Sequence, residues 1–292
     1  MELIVGPERL GGSLLLPDST TPAEAWVNAV EALSQRRGHA YNLIYSVTKP
    51  SSQTSQDITT VRGFNAFARM NGLHSTETVA NTIFPLDTYR SQGVELYSFY
   101  LLHVLPKVRK QWGTYFERLI QRRNDDGSIM TRQGVALNPL ALLIEKLRKR
   151  VEAGGTTTHY ELSLSELEYE VPTYDPLRDG AYQVGGPCLS HLSWKVDRNG
   201  RIRLTAFYRS HWYVARALGN LIGLARLQTF VARSVGADAG PLTIIASEAV
   251  LDLSGRGRSA GATRAMLKEV TIGYDNNQRS ELPPSEWSID YD

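Results

Sequence analysis

Apolar and polar positions along this chain alternate with two periods, and the helical period dominates its first half. The run Thr21-Pro22-Ala23-Glu24 has the residue types of a helix start, with a cap, a first-turn proline and a capping-box glutamate. The apolar side chains that follow at helical spacing are Trp26, Val27, Val30 and Leu33. Gly38 is typical of a helix end. Beyond it, YNLIYSV predicts a strand and TKPSSQTSQD predicts a polar loop.

A second amphipathic helix is predicted to begin at Asn138 and Pro139. Its buried stripe consists of Leu140, Leu143, Ile144, Leu147 and Val151. The pair Gly154-Gly155 is expected to end it.

The second half of the chain has the period of two that is typical of strands. Apolar residues alternate with polar ones from His191 to Asp197 and again from Arg201 to Tyr208, and the intervening DRNG predicts a hairpin turn. The next segment is apolar on much of its surface from Leu218 to Phe230, which indicates a deeply buried helix that stops near Gly236. PLTIIASEAVLDL then predicts another strand. The resulting order is strand, strand, buried helix, strand.

Composition narrows the class of protein. The chain has 292 residues, and no linker composition divides it, so we predict a single domain over residues 1–292. A formal net charge of +2 gives no electrostatic reason to expect nucleic acid as a partner. No stretch approaches the length of a membrane span, and the apolar run at the start is too short for a secretory signal. With a single cysteine, neither an internal disulfide nor a cysteine-rich metal site is expected. We therefore expect a cytoplasmic protein without membrane or metal.

The single cysteine, Cys188, lies in GGPCLSHLSWKV, just before a predicted strand. A lone cysteine is most often a small core residue. Three further features share its half of the chain: the pair Pro187-Cys188, the pair Arg209-Ser210 that ends the hairpin, and Asn220 near the start of the buried helix. Together they resemble the thymidylate synthase family, and the match is good over roughly Asn138 to Asp252.

The resemblance implies a fold and a chemistry. The fold would be α/β (α+β), a thymidylate synthase-like mixed sheet with helices on one face, paired back to back in a homodimer. The chemistry would be addition of the Cys188 thiolate to carbon 6 of a pyrimidine nucleotide, with 5,10-methylenetetrahydrofolate as the one-carbon donor. Arg209 would lower the pKa of the thiol and, with Ser210, bind the phosphate. Asn220 would read the pyrimidine edge and favour uracil over cytosine.

Two further catalytic residues are implied in the first half of the chain. Glu77, in STETVANTIFP, matches a family glutamate that organises hydrogen bonds around O4, although it could equally be a helix-capping residue. Tyr115, in QWGTYFERL, matches a family tyrosine near the proton that leaves carbon 5, and the alternative is a core tyrosine.

The chain also departs from the family pattern. Trp212 stands where the family has an aspartate, and Val250 and Asp252 stand where it has the His-x-Tyr pair that holds the sugar. The stretch AGGTTTHYEL lacks the arginine pair that a partner subunit sends to the phosphate, and PPSEWSIDYD does not resemble the family's C-terminal tail.

These departures suggest a changed substrate. A methyl- or hydroxymethyltransferase for a nonstandard pyrimidine nucleotide is the main hypothesis, because family relatives that hydroxymethylate exist. Asp252 could bind the two hydroxyls of a ribose, or it could cap a turn before SGRGRS and touch no ligand. The alternative function is a noncatalytic homologue that binds a nucleotide or a protein.

Overall fold

The computed structural model describes residues 12–108, 114–124, 126–153, 171–172, 187–255 and 257–274. The strands of its main sheet are β1 (Leu14–Leu15), β2 (His39–Val47), β5 (Val171–Pro172), β6 (Leu189–Val196), β7 (Ile202–Tyr208), β8 (His211–Trp212) and β9 (Ala239–Val250), while β3 (Thr131–Arg132) and β4 (Val135–Ala136) pair separately.

Most of the other described residues are helical. They are α1 (Pro22–Ser34), α2 (Ser55–Met70), α3 (Thr76–Ala80), α4 (Leu86–Gln92), α5 (Leu96–Phe99), α6 (Leu105–Val108), α7 (Tyr115–Ile120), α8 (Pro139–Ala153), α9 (Leu218–Ser234) and α10 (Ala260–Ile272). A 3-10 turn covers Gly93–Glu95, and wide π-helical turns cover Tyr100–Val104 and Tyr213–Ala217. No helix in the described ranges has the length and apolar character needed to cross a membrane.

The main sheet is mixed, which confirms the predicted fold class. Its order is β1-β2-β9-β7-β6-β5, and β8 also pairs with β9. β9 runs parallel to β7 and β8 but antiparallel to β2, whereas the hairpin β6–β7 is antiparallel. β7 and β8 pair with successive segments of β9. The strand is interrupted at Arg209-Ser210, and this interruption forms a break between two strands that both lie along β9.

Helices cover one face of this sheet because that face is apolar. The inward side chains of the central strands alternate with half-exposed ones, as a strand with one buried face requires. α1 packs on β2, and α9 packs on β7 and β9. Every residue of α9 from Leu218 to Ala232 is buried, as its apolar sequence predicts. One connected hydrophobic cluster includes residues from Leu14 to Tyr274, while the single domain over 1–292 stays a prediction.

Local sequence signals explain most element boundaries. The Thr21 hydroxyl accepts from the Glu24 N–H at 3.2 Å and caps α1, as predicted. In the DRNG turn, the Asp197 carboxylate accepts from the N–H groups of Asn199 and Arg201 at 2.9 Å each. The predicted end of α8 at Gly154-Gly155 lies outside the described residues.

The polar loop predicted for TKPSSQTSQD is wrong at its C-terminal end, where α2 already begins. Thr54 and Asp57 form a full capping box: the Asp57 N–H donates to the Thr54 hydroxyl at 3.1 Å, and the Thr54 N–H donates to the Asp57 carboxylate at 2.7 Å. TSQD is therefore a helix start inside a polar run.

Candidate active site

Cys188 and Arg209 lie side by side at one end of the β6–β7 hairpin. The Arg209 N–H donates to the Cys188 carbonyl at 3.0 Å, and its Nε donates to the Pro187 carbonyl at 2.9 Å. The guanidinium is thus folded back onto the Pro-Cys peptide. The pairing slips by one residue between Leu189 and His191, which forms a β-bulge directly after the cysteine. Such bulges re-aim side chains next to functional sites.

Tyr115 reaches the same point from α7. Its phenolic oxygen accepts from the backbone N–H of Cys188 at 3.0 Å and from that of Leu189 at 3.2 Å. Thr114 begins α7, since its hydroxyl accepts from the Glu117 N–H at 3.0 Å, and this cap fixes the first turn that carries the tyrosine. The two lone pairs of the phenol are therefore used to hold the backbone at the start of β6.

Burial and nearby cations act on the Cys188 thiol in opposite directions. The side chain is half-buried, and loss of solvent raises its pKa; the positive charges of Arg209 and Arg216 partly offset this effect. The net result is a thiol whose pKa lies above its usual value. Burial also raises the pKa of Tyr115 to about 12, with the negative charge of a Cys188 thiolate as the next cause. Both groups are neutral at pH 7 in this arrangement.

Asn220 sits on the first turn of α9 and faces a histidine. Its Nδ2 lies 3.2 Å from Nε2 of His211, and both side chains are buried. His211 comes from β8, which is held beside β9 through the pairs His211–Ala249 and Trp212–Val250. The buried Asn220 amide thus has a partner, as a buried polar group requires.

Glu77 lies in the first turn of the neighbouring helix α3 and pairs with an arginine farther along α9. Its two carboxylate oxygens accept from Arg226 at 2.9 and 2.8 Å in a forked ion pair. α3 lies very close to α9 because Gly219 and Gly223 have no side chain; a Cβ on Gly219 would stand 2.5 Å from the Val79 Cβ. Ser75, not Glu77, caps α3. The catalytic role of Glu77 stays a prediction.

The Asp252 carboxylate accepts hydrogen bonds from backbone N–H groups of the protein. Its carboxylate accepts from the N–H of Val214 at 2.8 Å and of Ala215 at 3.2 Å, at the start of the π-helical turn that leads into α9. Arg258 adds an ion pair at 3.0 Å and also contacts the Asp252 carbonyl. Desolvation outweighs these bonds and raises the pKa of the carboxyl. The alternative was a cap on the turn before SGRGRS, whereas the carboxylate caps a turn 38 residues away in sequence. A contact to a sugar stays a prediction.

The remaining predicted positions lie around the break between β7 and β8. Ser210 is half-buried in that break, directly after Arg209. Trp212 is 50% exposed and points away from the buried side that His211 occupies. The structure therefore brings Cys188, Arg209 and Tyr115 together, and it places Asn220 with His211.

Two residues that sequence reasoning missed belong to this region. Arg216 acts electrostatically on both Cys188 and Tyr115, and it precedes Asn220 by one helical turn, so its spacing was the available signal. His211 directly follows the Arg-Ser pair, but nothing local indicates that a strand residue contacts the helix after it. In the described residues no cluster of three metal-ligating side chains occurs.

Comparison with known proteins gives one partial sequence match and one structural alignment. No family model matches the sequence. A putative thymidylate synthase of Methanothermobacter thermautotrophicus is 39% identical over 72 residues, which are 25% of this chain and 32% of that protein, so the match spans about a third of the relative's length. A solved structure, thermostable thymidylate synthase A from Bacillus subtilis, aligns with a TM-score of 0.46 and 11% identity over 84% of this chain and 72% of its own.

Proposed function

We propose that this protein is a methyl- or hydroxymethyltransferase that acts at carbon 5 of a pyrimidine nucleotide through a covalent adduct on Cys188. The observation that carries the proposal is the position of the single thiol. It lies at a strand start held by Tyr115, with Arg209 bonded to the same peptide and Arg216 acting on it electrostatically. The partial similarity to a putative thymidylate synthase supports the same reaction class.

The chemistry requires a thiolate, and the bound nucleotide would complete the activation. Cys188 Sγ adds to carbon 6, and the electrons of the C5–C6 double bond move to O4 as an enolate. Carbon 5 is then a nucleophile that bonds to the one-carbon unit and loses its proton to water, and the bond from that unit to the tetrahydrofolate nitrogen breaks. Hydride or water then adds to the resulting exocyclic methylene, and departure of the Cys188 thiolate restores the C5–C6 double bond. Arg209 and Arg216 would stabilise the thiolate before addition and would bind the anionic nucleotide.

Asn220 and Tyr115 would act on the base and on the nucleophile. An amide donates to O4 and accepts from N3–H, which is the pattern of uracil. Tyr115 would hold the cysteine peptide, and a shift of its hydrogen bonds during the reaction would let it approach the carbon 5 proton. If its ion pair with Arg226 opened, Glu77 would organise the hydrogen bonds around O4 of the base.

The second substrate is proposed to be 5,10-methylenetetrahydrofolate, which supplies an electrophilic one-carbon unit when bound. The electrostatic effect of Arg209 and Arg216 on the thiol fits this proposal, because cations stabilise the anionic enolate that must attack the one-carbon unit. Closure by hydride transfer gives a methyl product, whereas addition of water gives a hydroxymethyl product. The altered positions Trp212, Val250 and Asp252 support a substrate that differs from the ordinary deoxynucleotide.

We also propose a homodimer that buries the open face of the sheet. On that face the paired residues Ile44, Ile245 and Phe207 form an apolar row across β2, β9 and β7, and Leu15 extends it at 71% exposure. A parallel row of hydroxyls runs through Ser46, Thr243, Thr205 and Ser193. A second copy of the chain would cover both rows.

A noncatalytic, nucleotide- or protein-binding homologue remains the second candidate, and a specific observation favours it. Burial keeps the pKa of Cys188 above its usual value, and the carboxylates of Glu77 and Asp252 are already engaged by Arg226 and Arg258. A protein that has lost the reaction could keep this arrangement unchanged.

Covalent trapping separates the two candidates. The protein is incubated with methylenetetrahydrofolate and a 5-fluoro-uridine or 5-fluoro-deoxyuridine monophosphate, and its intact mass is measured. Because the chain has one cysteine, a thiol adduct can form only at Cys188, and Cys188→Ser is the matched control. An adduct that is absent from the control supports catalysis; binding by calorimetry without any adduct supports the noncatalytic homologue. Mass analysis of products from a pyrimidine nucleotide panel then identifies methyl or hydroxymethyl transfer.

A further inference from the structure

His211 is held in a fixed position by two tyrosines. Its ring stacks on Tyr208 with a centroid distance of 3.9 Å and an interplanar angle of 3°, and Tyr213 lies at 5.0 Å on a tilted plane. The residue is 1% exposed. Its backbone is fixed as well, because β8 pairs with β9. A ring enclosed in this way presents its Nε2 in one direction, toward Asn220.

The contact with Asn220 defines the proton on this imidazole. Nδ2 of Asn220 lies 3.2 Å from Nε2 of His211, and because an amide nitrogen only donates, this contact is a hydrogen bond in the tautomer whose proton is on Nδ1. Nδ1 has no hydrogen-bond partner within the described residues. Burial lowers the pKa of His211 to about 3, so the ring stays neutral at working pH. A neutral ring with one proton is a directional partner, unlike an imidazolium that donates from both nitrogens.

The direction matters because an amide is pseudo-symmetric. With one orientation an asparagine donates to O4 and accepts from N3–H, which reads uracil; rotated by half a turn it accepts from the 4-amino group and donates to N3, which reads cytosine. An asparagine with no fixed partner can adopt both orientations. His211 accepts one hydrogen of Nδ2 and leaves the other hydrogen and Oδ1 for the base edge.

We propose that His211 is a positioning residue that holds the Asn220 amide in one orientation and thereby sets which pyrimidine base the site accepts. The inference rests on the proposed function in one respect, namely that Asn220 faces the base. It adds a specificity determinant that touches no substrate and acts through its neighbour.

Two substitutions separate this role from simple support of the fold. His211→Phe keeps an aromatic ring for the stack on Tyr208 but deletes the acceptor, whereas His211→Gln retains a polar group near the place of Nε2. Calorimetry with uridine and cytidine monophosphates is the measurement. We expect the wild type to prefer the uridine nucleotide by about tenfold to a hundredfold, His211→Phe to bring the ratio close to one, and His211→Gln to keep part of it. An unchanged ratio in His211→Phe, or equal weakening of both nucleotides, overturns the proposal.

A spectroscopic test does not depend on catalysis. In ¹⁵N-labelled protein, Nε2 of His211 is expected to be unprotonated and coupled to the Asn220 side-chain nitrogen, and His211→Phe should shift that amide resonance. A proton on Nε2 overturns the proposal, as does a wild type that binds neither nucleotide. If trapping on Cys188 fails while base selectivity depends on His211, the proposed reaction is wrong and the positioning role stands.

Discussion

Tyr115 holds Cys188 by its backbone and not by its thiol: the phenolic oxygen accepts from the N–H groups of Cys188 and Leu189 at 3.0 and 3.2 Å. The tyrosine therefore fixes where the cysteine sits without providing its base. It also joins two parts of the chain that are 73 residues apart in sequence.

Removing this hydroxyl should loosen the strand start. Tyr115→Phe leaves two N–H groups without their acceptor, so we expect the free energy of unfolding to fall by about 1–3 kcal/mol and alkylation of Cys188 by iodoacetamide to accelerate. Denaturant unfolding and mass-detected alkylation measure the two effects. Tyr41→Phe is the control, because Tyr41 is 54% exposed. Equal unfolding of the two variants would contradict this role of Tyr115.

The arginines near the thiol should be visible in its titration. A cation lowers a thiol pKa, so Arg216→Gln and Arg209→Gln should each raise the pKa of Cys188 further above its usual value. The pH profile of alkylation would then move to higher pH, and the rate at pH 8 would fall. Arg203→Gln removes an equal charge from the exposed side of β7, and it should leave the profile in place. A profile that shifts equally in all three variants would mean that only net charge matters.

Acid should destabilise the protein through His211. Its pKa of about 3 in the fold lies below the value near 6.5 that an exposed histidine has. The unfolded chain therefore binds the extra proton between these values, and the free energy of unfolding falls as pH drops from about 6.5 toward 3, at up to roughly 1.4 kcal/mol per pH unit. Denaturant titrations between pH 7 and 4 should show this slope, and His211→Phe should reduce it. The surface variant His103→Phe should retain the wild-type slope.

Asp252 and Arg258 form a buried pair whose loss should be costly. Asp252→Asn removes the charge that Arg258 faces, and breaking a buried pair on one side costs about 3 kcal/mol or more. Glu145→Gln breaks the exposed pair with Lys149 and should change unfolding little. Thermal or denaturant unfolding compares the two variants.

The same residue carries a substrate prediction. If Asp252 also accepts from ribose hydroxyls, the wild type should bind UMP more tightly than dUMP, and Asp252→Ala should remove the preference. Calorimetry on a variant that is still folded decides the point. Tighter binding of dUMP, or a UMP preference that persists in the variant, would leave Asp252 with its capping role alone.

Association through the open sheet face gives a prediction about the oligomeric state. Phe207, 37% exposed at the β7 end of the apolar row, should be buried by the second copy. We expect the wild type to sediment as a dimer and Phe207→Arg to sediment as a monomer at the same concentration. Leu102→Arg places the same charge on an exposed helical position away from the sheet, and it should remain dimeric. A monomeric wild type would end the proposal.

Sequence patterns predicted the second half of the fold because its signals are local. Alternation over β6 and β7, the DRNG turn and the apolar length of α9 each follow from residues within one element. The proximity of Cys188 and Arg209 follows too, since a hairpin places its two ends side by side. The start of α2 was missed because the capping box Thr54–Asp57 lies inside a polar run.

Side-chain partners were harder to predict because they depend on distant contacts. Glu77 meets Arg226 across 149 residues, and no local pattern indicates that an ion pair would use the predicted catalytic carboxylate. Alignment with the family predicts that Asp252 binds a ligand, yet its carboxylate accepts from a backbone N–H at the start of a helical turn. This contact depends on the relative placement of β9 and α9, which the local sequence does not indicate. His211 and Asn220 come together for the same reason.

The close approach of α3 to α9 has a consequence for how the chain tolerates mutation. At Gly219 and Gly223 even a methyl group would overlap α3, with atoms of Val79 and Ala80 at 2.5 and 2.8 Å. Gly261, on α10, has open space around it, and alanine there should be accepted or preferred. In a deep mutational screen for folded protein, Gly219 and Gly223 would therefore rank among the least replaceable positions, while the half-buried Cys188 would accept serine more readily. Such a screen would therefore detect the α3–α9 contact but not the reactive thiol. A screen for protein abundance and a screen for covalent labelling should identify different sensitive positions in the same chain.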